Sequence, residues 1–231
     1  MKLYIATPTL DGLVKASYAS ALTEVGLDCG VHNVGLVLKI LKNCTFIDIA
    51  RNILVKRFLE TDCTHLFFID SDLGFDGRHV RQLASVGLPF TAGVYPKRED
   101  ELKFNAQFDN PEYAENPGER ASWISADRVA TGFMCLDRHV VETMAHDSVK
   151  MKNQGELLPM LFETRFDGGN VRTFVGEDYA FCDKYMDLYR KGVFNHPIWV
   201  WPDITFDHAG HVGNFHEQFE DDGLDEPLFG R

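Results

Sequence analysis

The sequence predicts a single α/β domain with a Rossmann-like, mostly parallel central sheet flanked by helices. Short apolar segments alternate with segments of helical periodicity through about residue 95. One apolar run, residues 65–69, is uninterrupted and ends at Asp70, which is typical of a strand covered on both faces in the middle of a parallel sheet. The chain has 231 residues, of which 45% are hydrophobic and 25% charged. It is therefore long enough to bury one core and is not a disordered or fibrous protein.

The first half is expected to form successive strand and helix pairs. Pro8 and the turn residues after it end the first strand, and Tyr95-Pro96 closes the last strand of this half. A helix at residues 46–58 follows from apolar residues at helical spacing. In order, the predicted elements are a strand at 3–7, a helix at 14–25, an extended segment at 31–37, a helix at 46–58, a strand at 65–69, a helix near 80–84 and a strand at 90–94.

The second half is less regular. Residues 97–118 are rich in Asn, Pro and Glu and predict a flexible flap, strand-like only at 103–108. A helix at 176–189 begins with Glu177 and Asp178, whose charges complement the helix dipole. The remaining predicted elements are strands at 123–124 and 132–136, a helix at 137–145, a mobile loop at 147–171, a strand at 198–201 and an acidic tail at 212–231.

Composition restricts the partners. Twenty-three basic against 35 acidic residues give a net charge of −12, which disfavours nucleic-acid binding. No apolar run approaches the roughly 20 residues that cross a bilayer, and the first residues lack the apolar core of a signal peptide. The five cysteines are scattered without a C-x-x-C pair, as in a reduced compartment. We therefore expect a cytoplasmic protein without a transmembrane segment.

Asp70-Ser71-Asp72 directly follows the apolar run at 65–69. Two carboxylates at the carboxyl end of a strand lie where open α/β sheets bind ligands, and they repel each other unless a cation joins them. Such hard oxygen ligands suit Mg²⁺ or Mn²⁺, which keep positions for water and for nucleotide phosphates. The alternative is a turn in which Asp72 only caps the next segment.

Basic and amide side chains near this edge are candidates for binding the donor. Arg51 offers a planar fork and Asn52 both a donor and an acceptor, on a helix that can face the same pocket. The alternative for each is an ordinary helix-surface residue. Lys97 and Arg98 begin the flap and are placed to meet phosphate or acceptor groups, or else they are solvated loop cations.

Three further residues carry candidate chemistry. His208 and His211 lie in a Gly-containing segment after the final strand, and either is a candidate metal ligand or a hydrogen-bonded loop histidine. The helix dipole alone would explain Asp178, and a role as general base is the functional alternative.

The ordered set of these segments resembles nucleotide-sugar glycosyltransferases of the GT-A fold, in particular small viral and bacterial members. The resemblance covers residues 3–211. It is carried by Pro8, Ala50-Arg51-Asn52, Leu66-Phe67-Phe68-Ile69-Asp70-Ser71-Asp72, Gly93-Val94-Tyr95-Pro96-Lys97, Thr131-Gly132-Phe133 and Gly176-Glu177-Asp178-Tyr179.

The resemblance implies a nucleotide-sugar-binding half at 1–95 and an acceptor-side half with a small antiparallel sheet at 96–211. It also implies a cytoplasmic location, in a bacterium or, if the protein is viral, in the host cell. It implies Asp178 as the base, with Glu177 as substitute, and Asp70, Asp72 and His208 as metal ligands, with Asp207 and His211 as competitors for the histidine position. It also implies that the end of the first strand contacts the donor base. The expected donor-binding residues are Thr7, Pro8, Thr9, Arg51, Asn52, Asp70, Ser71 and Lys97.

The resulting hypothesis is a glycosyltransferase, dependent on Mn²⁺ or Mg²⁺, that moves a sugar from a UDP donor to a hydroxyl of a glycan or related acceptor, with inversion. A haloacid-dehalogenase-type phosphatase is disfavoured because its nucleophile strand comes first and Gly74 stands where it carries Thr. A nucleotidyltransferase is disfavoured because residues 7–12 lack a basic, Gly-rich loop. A non-catalytic nucleotide-sugar or glycan-binding module of the same fold stays open, since it would keep Asp70 and Asp72 and could dispense with Asp178.

Overall fold

The computed structural model describes residues 1–98, 103–109, 111–115, 122–169, 171–208, 210–213 and 215. The helices of these residues are α1 (Ala16–Val31), α2 (Ile47–Leu59), α3 (Arg78–Ser85), α4 (Arg138–Asp147) and α5 (Glu177–Arg190). Their strands are β1 (Lys2–Pro8), β2 (Gly35–Leu41), β3 (His65–Ile69), β4 (Leu73–Gly74), β5 (Phe90–Gly93), β6 (Ala106–Gln107), β7 (Tyr113–Glu115), β8 (Ser122–Ala126), β9 (Arg128–Val129), β10 (Phe133–Asp137), β11 (Lys150–Asn153), β12 (Glu156–Pro159), β13 (Arg165–Asp167), β14 (Thr173–Val175), β15 (Ile198–Trp201), β16 (Phe206–His208) and β17 (His211–Gly213).

An eight-stranded sheet with the order β2-β1-β3-β10-β5-β15-β8-β7 forms the centre of the molecule. Only β10 and β8 run opposite to the other six strands of this sheet. Smaller antiparallel sheets lie beside it, including a three-stranded sheet in the order β17-β16-β4. The predicted α/β class, with a mostly parallel central sheet flanked by helices and with smaller antiparallel sheets, is confirmed.

Helices cover both faces of the central sheet because alternate strand residues are apolar on each side. Leu3 and Ile5 of β1 pack towards α1 and α3, in a cluster that includes Tyr18 and Val80. Tyr4 of β1 packs into the opposite cluster with residues of α2, α4 and α5. The sheet is thus buried on both sides, and its edge at the carboxyl ends of the parallel strands stays accessible for a site.

The position of β3 differs in one respect from the sequence-based expectation. The strand is internal and its last four residues are buried, as predicted. It runs parallel to β1 on one side but antiparallel to β10 on the other. This reversal brings Gly132, just before β10, to the same edge as Asp70, just after β3, where the Asp70 N–H donates to the Gly132 carbonyl at 3.0 Å.

Helix α1 is longer than the predicted 14–25. The helix continues through Gly26, and the left-handed residue that follows the helix is Asn33, with φ of 54°. The following strand therefore begins at Gly35, four residues later than expected.

The predicted mobile loop at 147–171 is wrong. Strands β11 and β12 form one hairpin, and β13 and β14 form a second that leads directly into α5. Residues after the last predicted strand also form β16 and β17. Each of these strands has only three or four residues, which is too short for an alternating pattern to be distinguished from loop sequence.

Parts of two predicted regions lie outside the described residues. Of the flap, residues 99–102, 110 and 116–118 are not described. Of the acidic tail, only residues 212, 213 and 215 are described. None of the helices in the described part of the chain is long and apolar enough to span a membrane.

Candidate functional site

A polar pocket of about 460 Å³ opens at the carboxyl edge of the central sheet. It gathers residues from the ends of β1, β3 and β5, from α2 and from β16. Its lining residues are Pro8, Ile47, Arg51, Asp70, Ser71, Asp72, Tyr95, Arg98, Asn105 and His208. Five of the expected donor or metal residues on this edge, together with His208 from the C-terminal segment, therefore share one cavity.

Asp70 is held at the floor of this pocket by tight backbone packing. A Cβ atom added to Gly132 would lie 2.8 Å from Asp70 Oδ2 and 2.3 Å from the Tyr95 hydroxyl. The Gly132 N–H donates to that hydroxyl at 3.2 Å. Burial raises the pKa of Tyr95 well above its ordinary value, so the phenol is protonated and neutral. Glycine at position 132 lets the Tyr95 hydroxyl and the Asp70 carboxylate approach the same stretch of backbone.

Arg51 connects the β3 edge to the start of α5. Its side chain is 6% exposed, with Nη2 3.5 Å from Asp70 Oδ1 and Nη1 paired with Glu177. Burial opposes the charge on Arg51, but Asp70 and Glu177 outweigh this cost and raise its pKa. Residues that are far apart in the sequence thus become one charge cluster.

Asp178 stands beside this cluster in the first turn of α5. Its Oδ1 accepts a hydrogen bond from the Tyr179 N–H at 2.7 Å. Burial raises the pKa of Asp178, an effect that the charge of Arg51 opposes and that of Glu177 reinforces. A partly buried carboxylate with a raised pKa is the kind of group that serves as a general base near neutral pH.

A second cluster is formed by Asp72, Arg98 and His208. Arg98 pairs with Asp72 through Nη2, and its Nε donates to His208 Nε2 at 3.0 Å. His208 Nε2 lies 3.7 Å from Asp72 Oδ2. His208 Nδ1 lies 2.7 Å from the Pro96 carbonyl oxygen, and the ring of Tyr95 packs edge-on against the imidazole.

This geometry fixes the tautomer of His208. A carbonyl oxygen only accepts, so Nδ1 carries the proton and the lone pair of Nε2 accepts the hydrogen bond from Arg98 Nε. Burial lowers the pKa of His208 below its ordinary value, which favours the neutral ring. A neutral imidazole whose other nitrogen is anchored to a backbone carbonyl is the form that ligates metals.

The donor set fits a hard divalent cation, with fewer protein ligands than the sequence suggested. Asp72 and His208 are close to each other, whereas Asp70 is engaged by Arg51. No group of three or more His, Cys, Asp or Glu residues in the described ranges is arranged to enclose an ion. Mg²⁺ and Mn²⁺ sites with one or two protein ligands completed by substrate phosphates and water are common. The residues present are therefore compatible with such an ion bound together with a diphosphate.

The two other candidates for the C-terminal metal ligand, Asp207 and His211, do not line the polar pocket. Asp207 is the preceding strand residue and lines a different cavity, beside α1, because successive strand residues face opposite sides. His211 pairs with His208 across the β16–β17 hairpin but does not line the polar pocket. Of the three candidates, the structure places only His208 beside Asp72.

Several expected donor-binding side chains are not in the pocket. Asn52 is fully buried, its oxygen accepting from the Leu161 and Phe162 N–H groups and its amide donating to the Asp48 and Phe162 carbonyls. The hydroxyl of Thr7 bonds Tyr18, and that of Thr9 bonds the backbone of residues 12 and 41. These residues support the walls of the pocket.

The sequence indicated no site role for three of the residues that line the pocket. Tyr95 stands in one of the segments that carry the family resemblance. Arg98 lines the pocket, and the sequence had suggested it either as a partner of phosphate or acceptor groups or as a solvated loop cation. Ile47 and Asn105 gave no signal, because neither belongs to a motif. Lys97 does not line the pocket, although its neighbour does.

No protein-family model and no curated protein matches this chain. Among solved structures, the chain is similar to residues 1–349 of S. aureus TarS in complex with UDP-GlcNAc, with a TM-score of 0.48 and 13% identity over 88% of this chain and 56% of that one. It is also similar to a glycosyltransferase involved in the glycosylation of the major capsid of PBCV-1, with a TM-score of 0.37 and 9% identity over 62% of this chain and 63% of that one. The chain thus spans less than two thirds of each structure, and at these identities the likeness concerns the fold alone.

Proposed function

We propose that this protein is a metal-dependent glycosyltransferase that moves a sugar from a nucleoside diphosphate donor to a hydroxyl acceptor on a glycan or related molecule, with inversion. The family resemblance suggests UDP as the nucleotide of the donor. One observation carries the proposal. The buried Arg51 joins Asp70, at the D-x-D edge, to Glu177, the neighbour of Asp178. Arg51 therefore links the groups suited to hold a donor diphosphate to the carboxyl pair suited to accept a proton, although Glu177 and Asp178 do not themselves line the polar pocket.

The charge of the site supports a cationic ligand. Among the described residues, Asp70, Asp72, Glu177 and Asp178 bring four carboxylates together with two guanidinium groups, those of Arg51 and Arg98. A bound Mg²⁺ or Mn²⁺ would be held by Asp72 and His208 and would supply charge stabilisation to the departing diphosphate. Arg51 Nε is buried and has no hydrogen-bond partner among the described residues.

Asp178 supplies the proton acceptor. Its carboxylate takes the proton of the acceptor hydroxyl while that oxygen forms a bond to the anomeric carbon. The bond from the anomeric carbon to the diphosphate oxygen breaks, and the nucleoside diphosphate leaves with the electron pair. A single displacement of this kind inverts the configuration at the anomeric carbon.

Paired measurements of donor binding and transfer test this assignment. Calorimetry should show that Mn²⁺ or Mg²⁺ strengthens UDP binding to the wild type and that Asp72→Asn loses this effect. Asp178→Asn should keep metal-dependent UDP binding and lose about 100-fold to 10,000-fold in transfer rate, the usual cost of removing a general base. Asp187→Asn is the matched control, because Asp187 is an exposed residue of the same helix paired with Arg190, and it should change neither property.

The same measurements separate the rival readings. Metal-dependent binding of a UDP-sugar without transfer to any acceptor in a glycan panel would favour the non-catalytic module. A product that retains the donor configuration would exclude Asp178 as the base of an inverting transfer. Undiminished metal-dependent UDP binding by Asp72→Asn would remove Asp72 from the metal site.

The pH dependence of kcat gives an independent check on Asp178. The base must be ionised, and its pKa is raised above the ordinary value of 3.8 because the carboxyl is buried. As pH falls, the carboxylate should thus become protonated earlier than an exposed aspartate would. The acid limb of kcat should lie above pH 3.8, and a rate that stays constant down to that pH would contradict the assignment.

A further inference from the structure

Arg98 contacts the two side chains proposed to bind the metal. Its Nη2 pairs with Asp72, and its Nε donates to His208 Nε2. Because His208 Nδ1 is committed to the Pro96 carbonyl, Nε2 is the imidazole's one remaining coordinating atom. The guanidinium therefore engages the two protein ligands that the proposed metal site would use.

Arg98 and a metal ion cannot use this site at the same time. The lone pair of a neutral imidazole nitrogen points in one direction and serves either a hydrogen bond or a metal. Asp72 Oδ2 and His208 Nε2 are 3.7 Å apart, less than the sum of two typical Mg²⁺–ligand distances of about 2.1 Å each, so one small ion can reach both. A planar guanidinium between them fills the same space and already supplies part of the charge compensation.

The surroundings of Arg98 allow it to leave. Its side chain is 52% exposed, in contrast to the 6% of Arg51. It stands two residues after Pro96, outside any helix or strand, so rotation of its long side chain towards solvent needs no movement of a helix or strand. A diphosphate entering the pocket would also offer the guanidinium a new bidentate partner.

We infer that Arg98 is a built-in competitor of the divalent cation: it binds Asp72 and His208 in the free protein and must leave them before a metal ion binds there. This inference rests on the proposed metal-dependent function. Its consequence is that the free protein binds the ion weakly, and that the ion binds well only together with a diphosphate that draws Arg98 away. Metal and nucleotide would then enter the site as a pair.

The test is the affinity of the nucleotide-free protein for Mn²⁺, measured from the electron paramagnetic resonance signal of free Mn²⁺ and by calorimetry. Arg98→Gln should bind Mn²⁺ about tenfold more tightly than the wild type, because it removes a charge-assisted contact to both ligands. Lys97→Gln is the matched control. Lys97 is the neighbour of Arg98 in the chain and carries the same charge, but its side chain does not line the pocket. Its substitution should therefore change the Mn²⁺ affinity less than about twofold. Arg98→Lys keeps the charge without the planar fork and should give an intermediate affinity.

The outcomes distinguish this inference from the function on which it rests. Tighter Mn²⁺ binding by Arg98→Gln than by both the wild type and Lys97→Gln supports it. Equal binding by the wild type and Arg98→Gln overturns the role of Arg98 and leaves the metal site standing. Absence of Mn²⁺ binding to either protein, with and without UDP, overturns the metal site and the inference together.

Discussion

Two arginines enter the same pocket, and the protein holds them differently. Arg51 is 6% exposed and lies between Asp70 and Glu177, whereas Arg98 is 52% exposed and lies between Asp72 and His208. An ion pair formed by a guanidinium that is itself buried is costly to break, because the carboxylates around it lose a partner that water replaces poorly. An exposed pair is replaced by water or by another ion at little cost. The comparison identifies Arg51 as a permanent part of the site and Arg98 as an exchangeable one.

The largest effect is expected from Arg51→Met, which keeps much of the side-chain volume and removes the charge. Asp70 and Glu177 would lose their shared partner, and such a loss in a buried pair typically costs about 3–5 kcal/mol in the free energy of unfolding. Chemical denaturation measures this cost. Arg57→Met is the control on the same helix, because Arg57 is 41% exposed and pairs with Glu60 and Glu156 at the surface, which predicts a loss of less than about 1 kcal/mol.

Equal losses for the two variants would contradict the proposed distinction between the buried and the exposed pairs. A small loss for Arg51→Met in particular would mean that water or a shift of the carboxylates compensates the buried charges. Arg51 would then be no more a fixed part of the site than Arg98.

The buried side of the comparison shows where sequence reasoning succeeds. The α2, α5 and β3 segments were placed to within a residue, because apolar periodicity and an uninterrupted apolar run are local signals. The D-x-D and Glu-Asp pairs were recognised for the same reason, as short motifs beside clear element ends. Local sequence patterns were therefore enough to predict the helices and the strand that carry the site residues.

The contacts that complete the site are not local. Arg51 and Glu177 are 126 positions apart, and Asn52 and Phe162 are 110 apart. These two adjacent residues of α2 looked equivalent in the sequence, yet one lines the pocket and the other anchors the loop at 161–162. Only the packing of α2 against that loop and α5 decides between them. The short β11–β12 and β13–β14 hairpins were missed for a similar reason, since their pairing depends on tertiary contacts.

A smaller effect is expected when the packing between Asp70 and Tyr95 is disturbed. Gly132→Ala would place a methyl group 2.3 Å from the Tyr95 hydroxyl and 2.8 Å from Asp70 Oδ2. Overpacking of this kind typically costs about 1–3 kcal/mol, and here it would also displace a pocket carboxylate and weaken UDP binding. Thermal and chemical denaturation together with calorimetry would measure both consequences.

Gly26→Ala is the matched glycine substitution. Position 26 lies inside α1 with no heavy atom within 4 Å of an added Cβ, so alanine should stabilise the helix by about 0.5–1 kcal/mol. If Gly132→Ala were as well tolerated as Gly26→Ala, the packing of Asp70 and Tyr95 around position 132 would be looser than the structure shows.

The smallest effect is expected from Arg98→Gln on folding itself. Arg98 must leave Asp72 and His208 before a ligand can enter. Its contacts with them can therefore contribute little to the free energy of unfolding, because otherwise breaking them would cost more free energy than ligand binding provides. Exposed ion pairs contribute about 0–1 kcal/mol, so chemical denaturation without metal should show a change within that range. Added Mn²⁺ should then raise the melting temperature of Arg98→Gln more than that of the wild type, since a ligand stabilises the folded state in proportion to the logarithm of its concentration over its dissociation constant. A loss of about 3 kcal/mol in the absence of metal would instead place Arg98 with Arg51, as a structural cation whose contacts to Asp72 and His208 are kept throughout.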